Sequence, residues 1–246
     1  MIALAALLTF LLTTVFTMAG VGAAFILIPV FLAFGVELHT AMATALLLNA
    51  VAMTIASATF IRKGLVEWRL VVPMLVLAVL ASPFGVSLAQ GLDRTLLLWL
   101  FVAFLMFASL MMLLYRPKAK REQASMAATL ALGLPVGALA GFVGGLLGVG
   151  GGNIIVPVLI AAGLEPKRAA ASASFVVIFA SLAGFLAHAR VAHLSTALLG
   201  STALASAAGA GLGAWLVSEK VGGEQLKKII ALVLIAVAIK TAWSLL

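Results

Sequence analysis

The chain repeats itself at a fixed spacing of 128 residues. Gly20, Val21, Gly22, Ile26, Pro29, Gly35 and Glu37 return without a gap as Gly148, Val149, Gly150, Ile154, Pro157, Gly163 and Glu165, and Ala41, Ala43 and Ala45 return as Ala169, Ala171 and Ala173. Such a repeat sets the unit of construction, so the fold has to be built from two copies of one arrangement. In an apolar chain, a repeated pair of short segments broken by Gly and Pro points to the substrate site of a transporter.

The solvent of this fold is lipid. Hydrophobic residues make up 65% of the chain, charged ones only 9%, and the mean hydropathy is +1.31. Apolar runs of about 20 residues recur along it, each long enough to cross a bilayer as a helix. The net charge of +8 does not indicate nucleic acid, because Lys and Arg fall between the apolar runs and read as topology signals. The absence of cysteine excludes disulfides and thiol chemistry, and His39, His188 and His193 lack the paired helical spacing of a metal site. No cofactor is expected.

Apolar runs and breakers give five segments in each half: roughly 2–19, a short 22–35, 40–61, 70–90 and 95–115, then 126–147, a short 152–163, 167–189, 195–217 and 227–246. The expected fold class is an all-α polytopic membrane protein of two inverted repeats, 1–118 and 129–246, joined by a basic cytoplasmic linker at 119–128. The first 19 residues lack a basic leader and match the start of the second copy, so they are read as mature chain and not as a signal peptide. If each short stretch crosses, or returns with the helix before it, the second half enters upside down. Twelve of the fifteen Lys and Arg then share one face, leaving Arg94, Arg190 and Lys240 opposite. The positive-inside rule favours that arrangement, with both termini outside the cytoplasm of a bacterial inner membrane.

The segment that carries chemistry is Gly148-Val149-Gly150-Gly151-Gly152-Asn153-Ile154, followed by Pro157. So many glycines break a helix at membrane depth, where unpaired backbone groups need protein or a wet cavity. Asn153 to Pro157 reads as the first turn of a new helix, whose free amides and positive dipole end would face the break and hold an anion. Packing alone does not require three consecutive glycines, a helix-start Asn and an echo at Gly20 and Gly22. The first copy is degraded, with Ala23, Ala24 and Phe25 where Gly151, Gly152 and Asn153 stand, which predicts an asymmetric site deeper on the second-repeat side. Gly137, Gly141, Gly145, Gly209, Gly211 and Gly213 are read as packing glycines.

These residues resemble the sulfite exporter TauE/SafE family of bacterial membrane permeases. The resemblance rests on Gly148 to Gly152, Pro157, Gly163 and the small-residue helix Ala169 to Ser174, with the weaker copy from Gly20 to Ala45. It implies transport of small sulfur-containing anions such as sulfite or organosulfonates.

Further substrate-binding candidates are the intramembrane polar residues Asn49, Thr44, Ser172 and Ser174, which could equally make ordinary interhelical hydrogen bonds. Glu37 and Glu165 sit at helix starts and read as caps. His188 and Arg190 read as interfacial anchors, and Trp68, Trp99, Trp215 and Trp243 as an aromatic belt. An embedded enzyme would need convergent acids, bases or nucleophiles at membrane depth, whereas every Asp and Glu maps to a loop or segment end. The expected function is a secondary transporter that exports its anion by alternating access; proton-coupled anion uptake and a cation channel or carrier using the glycine carbonyls are the alternatives. The expected partners are the anion and the lipid bilayer, with a homo-oligomer allowed.

Overall fold

The computed structural model describes residues 2–18, 20–114, 126–189 and 196–219, together with 235–243 and the single residues 192, 232 and 245. Nine helices are delimited: α1 (Ile2–Met18), α2 (Ala24–Ala33), α3 (Leu38–Arg62), α4 (Trp68–Gly91), α5 (Arg94–Leu114), α6 (Met126–Leu147), α7 (Gly152–Ala161), α8 (Pro166–His188) and α9 (Thr196–Glu219). No strand occurs among the described residues. Shifted by 128 residues, the starts of α2, α3 and α4 fall on the starts of α7, α8 and α9. Residues 119–125 of the expected linker, most of the last segment, Arg190 and His193 lie outside the described residues, and 126–128 already belong to α6.

Six helices, α3, α4, α5, α6, α8 and α9, are long and apolar enough to cross a membrane. The ten-residue α2 and α7 reach only about 15 Å, half a bilayer. Both end on a glycine in the left-handed region. Gly35 (φ +79°) donates to Leu32 while Val36 donates to Phe31, and Gly163 (φ +92°) donates to Ile160 while Leu164 donates to Leu159. This closing motif satisfies the last carbonyls and turns the chain into the next helix.

Side-chain contacts set the helix directions. Gly137, Gly141 and Gly145 face Met74, Ala78 and Ser82 in turn, so α6 runs parallel to α4. Gly209 faces Phe10, and Gly213 faces Thr14 and Thr17, so α9 runs parallel to α1. Ser82 Oγ donates to Ala180 O at 3.1 Å and Gln90 Nε2 to Ala187 O at 3.4 Å, aligning α4 with α8. Ser206 Oγ donates to Leu48 O at 2.9 Å and Gly211 faces Ile55, aligning α9 with α3. Across the centre, α3 and α8 are antiparallel: the His39 and His188 rings meet at one end, with centroids 5.8 Å apart. At the other end, just past α3, Glu67 pairs with Arg168 at 2.6 Å. Since α1 and α3 run the same way, α2 must return between them, and α7 likewise returns between α6 and α8. Each short helix is thus the second leg of a hairpin that enters and leaves at one end of the bundle.

The halves of the sequence are interlocked. Helix α4 packs along α6 and α1 along α9, so each half lends a helix to the other. At Gly137, Gly141 and Gly145 a side chain would collide with the backbone of α4, and at Gly209 and Gly213 with that of α1. Close backbone approach is what these glycines permit. Gly211 differs from its neighbours: a Cβ there would make an ordinary 3.7 Å contact with Ile55, so tight packing does not require glycine at that position. Outward, α4 presents Val72, Val76, Leu80, Phe84 and Leu88 at four-residue spacing, an apolar stripe suited to acyl chains. Trp68, Trp99, Trp215 and Trp243 are all exposed, as a belt requires.

Candidate functional site

The two glycine breaks meet at the centre of the bundle. Gly20, Gly22, Gly148, Gly150 and Gly151 all have φ between +71° and +77°, a region that L side chains rarely enter. Their contacts exchange between the halves: Gly20 lies against Ala170 of α8, and Gly148 against Met42 of α3, the residue 128 positions before Ala170. Gly152 abuts the backbone of Val21, bringing the loops themselves together.

Asn49, midway along α3, joins them. A Cβ on Gly22 would fall on Asn49 Oδ1, and one on Gly150 would lie 2.5 Å from Asn49 Nδ2. Its Nδ2 donates to Ser181 Oγ of α8 at 3.0 Å, whereas Oδ1 has no partner among the described residues. Asn49 therefore faces protein and makes an interhelical hydrogen bond, with an acceptor left over beside the break.

Helices α2 and α7 begin at these loops. Their caps differ: Ala23 (φ −104°) precedes α2, whereas the left-handed Gly151 (φ +77°) precedes α7. The first amides that turn inward to a carbonyl are those of Ile26 and Leu27, onto Ala23, and of Ile154 and Ile155, onto Gly151. The amides of Ala24, Phe25, Gly152 and Asn153 make no backbone hydrogen bond among the described residues. They are the free donors of a helix start, carrying its positive dipole end. Asn153 is 2% exposed, and neither Oδ1 nor Nδ2 has a partner among the described residues. Leaving a buried amide unpaired costs about 1–3 kcal/mol per group, a cost that a ligand or bound water would remove. Its counterpart Phe25 packs edge-on against Phe16, with centroids 4.7 Å apart, so the polar side chain belongs to the second copy alone.

Several expectations change at close range. Pro157 is the sixth residue of α7 and not part of its first turn. The missing N–H leaves the Asn153 carbonyl without its helical partner, and Pro29 does the same in α2. The glycine run also has ordinary steric reasons: a Cβ on Gly151 would collide with the Ala140 carbonyl. Ile154 faces away from the junction, onto an apolar cavity of about 350 Å³ between α5, α6 and α7 that it lines with Phe104, Val143 and Pro157.

The hydroxyl candidates are engaged elsewhere. Thr44 Oγ1 donates to Thr40 O at 2.8 Å and Ser174 Oγ to Ala170 O at 2.7 Å, each one turn back on its own helix. Ser172 Oγ accepts the Glu67 N–H at 3.0 Å, fastening the α3–α4 loop to α8. Glu37 caps α3, accepting from the His39 and Thr40 amides at 2.9 Å each. Partial burial acts to raise the Glu37 carboxyl, but hydrogen bonds from His39 and Thr40 outweigh it and hold the group below the usual carboxylate range. Glu165 occupies the matching position without a side-chain cap, and Pro166 begins the helix there.

His188 is not a surface anchor. It is fully buried, and its Nε2 lies 3.0 Å from Gly145 O; a carbonyl can only accept, so Nε2 carries the hydrogen. Burial follows because α8 runs antiparallel to α3 and ends beneath the start of that helix, a relation no local pattern reveals. Thr9, Thr13 and Thr17 were also missed. They are fully buried, their hydroxyls have no partner among the described residues, and they stand where the second copy has Gly137, Gly141 and Gly145. Their four-residue spacing along α1 was the available signal.

A model of the sulfite exporter TauE/SafE family matches residues 5–241. A probable membrane transporter protein of Xylella fastidiosa is 31% identical over 206 residues, covering 82% of this chain and 77% of that protein. A probable membrane transporter protein of Sinorhizobium sp is 38% identical over 101 residues, 41% of this chain and 38% of its own length. A sulfite exporter TauE/SafE family protein of Arabidopsis thaliana is 53% identical over 49 residues, 20% of this chain and 11% of its own. No solved structure matches the chain.

Proposed function

The chain belongs to the sulfite exporter TauE/SafE family of multi-pass membrane transporters, and on that premise we propose that it exports a small sulfur-containing anion, such as sulfite or an organosulfonate, across a bacterial inner membrane. The observation that carries the reading is the meeting of two half-helix starts at one buried junction, with Asn153 presenting an amide that nothing in the described chain satisfies. The anion would be held by the Gly152 and Asn153 amides and by Asn153 Nδ2, with Gly148, Gly150 and Gly151 letting the backbone approach. Gly20, Gly22 and Asn49 complete the enclosure from the first copy.

The antiparallel α3–α8 pair and the exchanged Gly20–Ala170 and Gly148–Met42 contacts support two inverted repeats. In that arrangement the basic ends near Arg62 and Arg168 face the cytoplasm, and both termini lie outside it. The interlocking favours rocking units that differ from the sequence halves: α1, α2, α3 and α9 on one side, α4, α6, α7 and α8 on the other, hinged along the α3–α8 seam. Efflux follows from electrostatics, since an inside-negative potential drives an anion outward by about 2.3 kcal/mol per charge per 100 mV.

The test is flux from proteoliposomes loaded with sulfite, sulfoacetate, thiosulfate or chloride, comparing the wild type with Asn153→Ala. Saturable flux of a sulfur anion that Asn153→Ala abolishes is the expected result. Cation conductance, or no anion flux from folded protein, would overturn the proposal.

A further inference from the structure

We propose that the junction selects an oxyanion that carries one negative charge and still holds one acidic hydrogen, so that sulfite passes as its singly protonated form. The inference rests on the anion reading of this site and names the form of anion that the site accepts.

The charge follows from the lining. Gly20, Gly22, Gly148, Gly150 and Gly151 bring the two breaks against Met42, Asn49, Ala140, Ala170, Val177 and Ser181, and every one of these side chains is uncharged. An ion enclosed there is offset by backbone amides and by the positive ends of α2 and α7, roughly half a charge each. Together they match a monoanion. The cost of taking an ion out of water rises with the square of its charge, so a doubly charged oxyanion meets roughly four times the penalty of a singly charged one.

The hydrogen follows from the acceptors. Asn153 is 2% exposed, and neither Nδ2 nor Oδ1 has a partner among the described residues. Its Nδ2 hydrogens and the backbone amides of Gly152 and Asn153 are donors, which the oxygens of an oxyanion fill. Oδ1 of the same side chain is an acceptor, and Asn49 Oδ1, buried beside Gly22, is a further one without a partner among the described residues. Pro157, lacking an N–H, frees the Asn153 carbonyl as well.

A fully ionised oxyanion has nothing to give these oxygens and sets its own lone pairs against them. A singly protonated one answers both halves of the Asn153 amide at once: its O–H donates to Oδ1 while a neighbouring oxygen accepts from Nδ2. Donor and acceptor sit side by side on one planar group, so the pairing holds whichever way round that group is turned. Sulfonates, which have no such hydrogen, are the poorer ligands.

The test compares two ligands of one shape and charge that differ by the O–H: methylphosphonate, held at a pH where it is a monoanion, and methanesulfonate. Dissociation constants are read from ligand-dependent thermal unfolding of the purified protein at that one pH, with potassium as the counterion. Methylphosphonate should bind more tightly by about 5- to 150-fold, the effect of satisfying one buried acceptor that the sulfonate leaves unpaired. In Asn153→Leu the ratio should fall to near one. Equal affinity of the wild type for the two compounds overturns the proposal, and so does a preference that Asn153→Leu leaves intact. Sodium that lifts methanesulfonate to the affinity of methylphosphonate also overturns it, because a cation would then be what the acceptors take. Where Asn153→Leu does not fold or binds neither compound, the wild-type ratio decides. If neither compound binds the wild type and sulfite does not move, the anion reading falls and takes this one with it. If both bind alike while Asn153→Ala abolishes sulfite flux, the anion reading stands and this one alone falls.

Discussion

Replacing Asn153 by leucine should make the protein more stable and less able to bind its anion. Asn153 is 2% exposed, and both polar atoms of its amide lack partners among the described residues. Each such group costs about 1–3 kcal/mol when buried unpaired. Leucine has nearly the same shape, leaves little cavity and removes both costs, so the unliganded variant should gain about 2–6 kcal/mol; bound water at the site would put the gain at the low end. The same change deletes a hydrogen bond to a charged ligand, worth about 1.5–3 kcal/mol. That corresponds to roughly 10- to 150-fold in Kd. The assay is thermal unfolding of purified protein with and without sulfite. The wild type should gain stability with rising anion as the logarithm of one plus the ratio of anion concentration to Kd. Asn153→Leu should start higher and shift far less. A variant that melts below the wild type, yet keeps the full anion-dependent shift, would refute the argument, because Asn153 would then be a satisfied structural residue.

Two further perturbations probe the framework. Gly151→Ala and Gly35→Ala both force a side chain into positive φ, at a cost of about 1–2 kcal/mol. Only Gly151 would also collide with backbone, at Ala140, whereas nothing lies within 4 Å of a Cβ on Gly35. Gly35→Ala should therefore lower the melting temperature modestly, and Gly151→Ala should abolish folded expression as judged by size-exclusion profile. Glu37→Ala should cost about 0.5–2 kcal/mol at neutral pH through loss of the α3 cap. Because the folded carboxyl is held below its reference value of 4.5, its contribution is present above that pH and fades as pH falls through the folded value. Melting curves of variant and wild type should accordingly converge in acid.

Much of the helical framework was legible from residue order. The apolar runs located nine helices to within about two residues, because a bilayer imposes a length and excludes charge. Gly35 and Gly163 marked the ends of the short helices, since a left-handed closing turn favours glycine in any context. Glu37 was readable as a cap for the same local reason, although Glu165 shows that the position alone does not guarantee the bond. The glycine breaks were legible as breaks; which of their residues carry free polar groups was not. Thr44 and Ser174 looked like donors to a ligand in sequence, yet their hydroxyls donate to Thr40 and Ala170, and the Ser172 hydroxyl oxygen accepts the Glu67 amide.

The sequence by itself determined the solvent, the two-copy construction, the helix boundaries and the family, because each depends on composition or on neighbours along the chain. Tertiary structure alone decided that the short helices return to the end they came from, that α1 locks onto α9 and α6 onto α4, and that Asn49 stands between the two breaks. It also turned His188 from an expected surface anchor into a buried partner of Gly145 and His39. These outcomes depend on the relative directions of helices far apart in the chain. A hydropathy pattern in lipid records how deep a residue lies, but not which helix it faces, since nearly every neighbour is equally apolar.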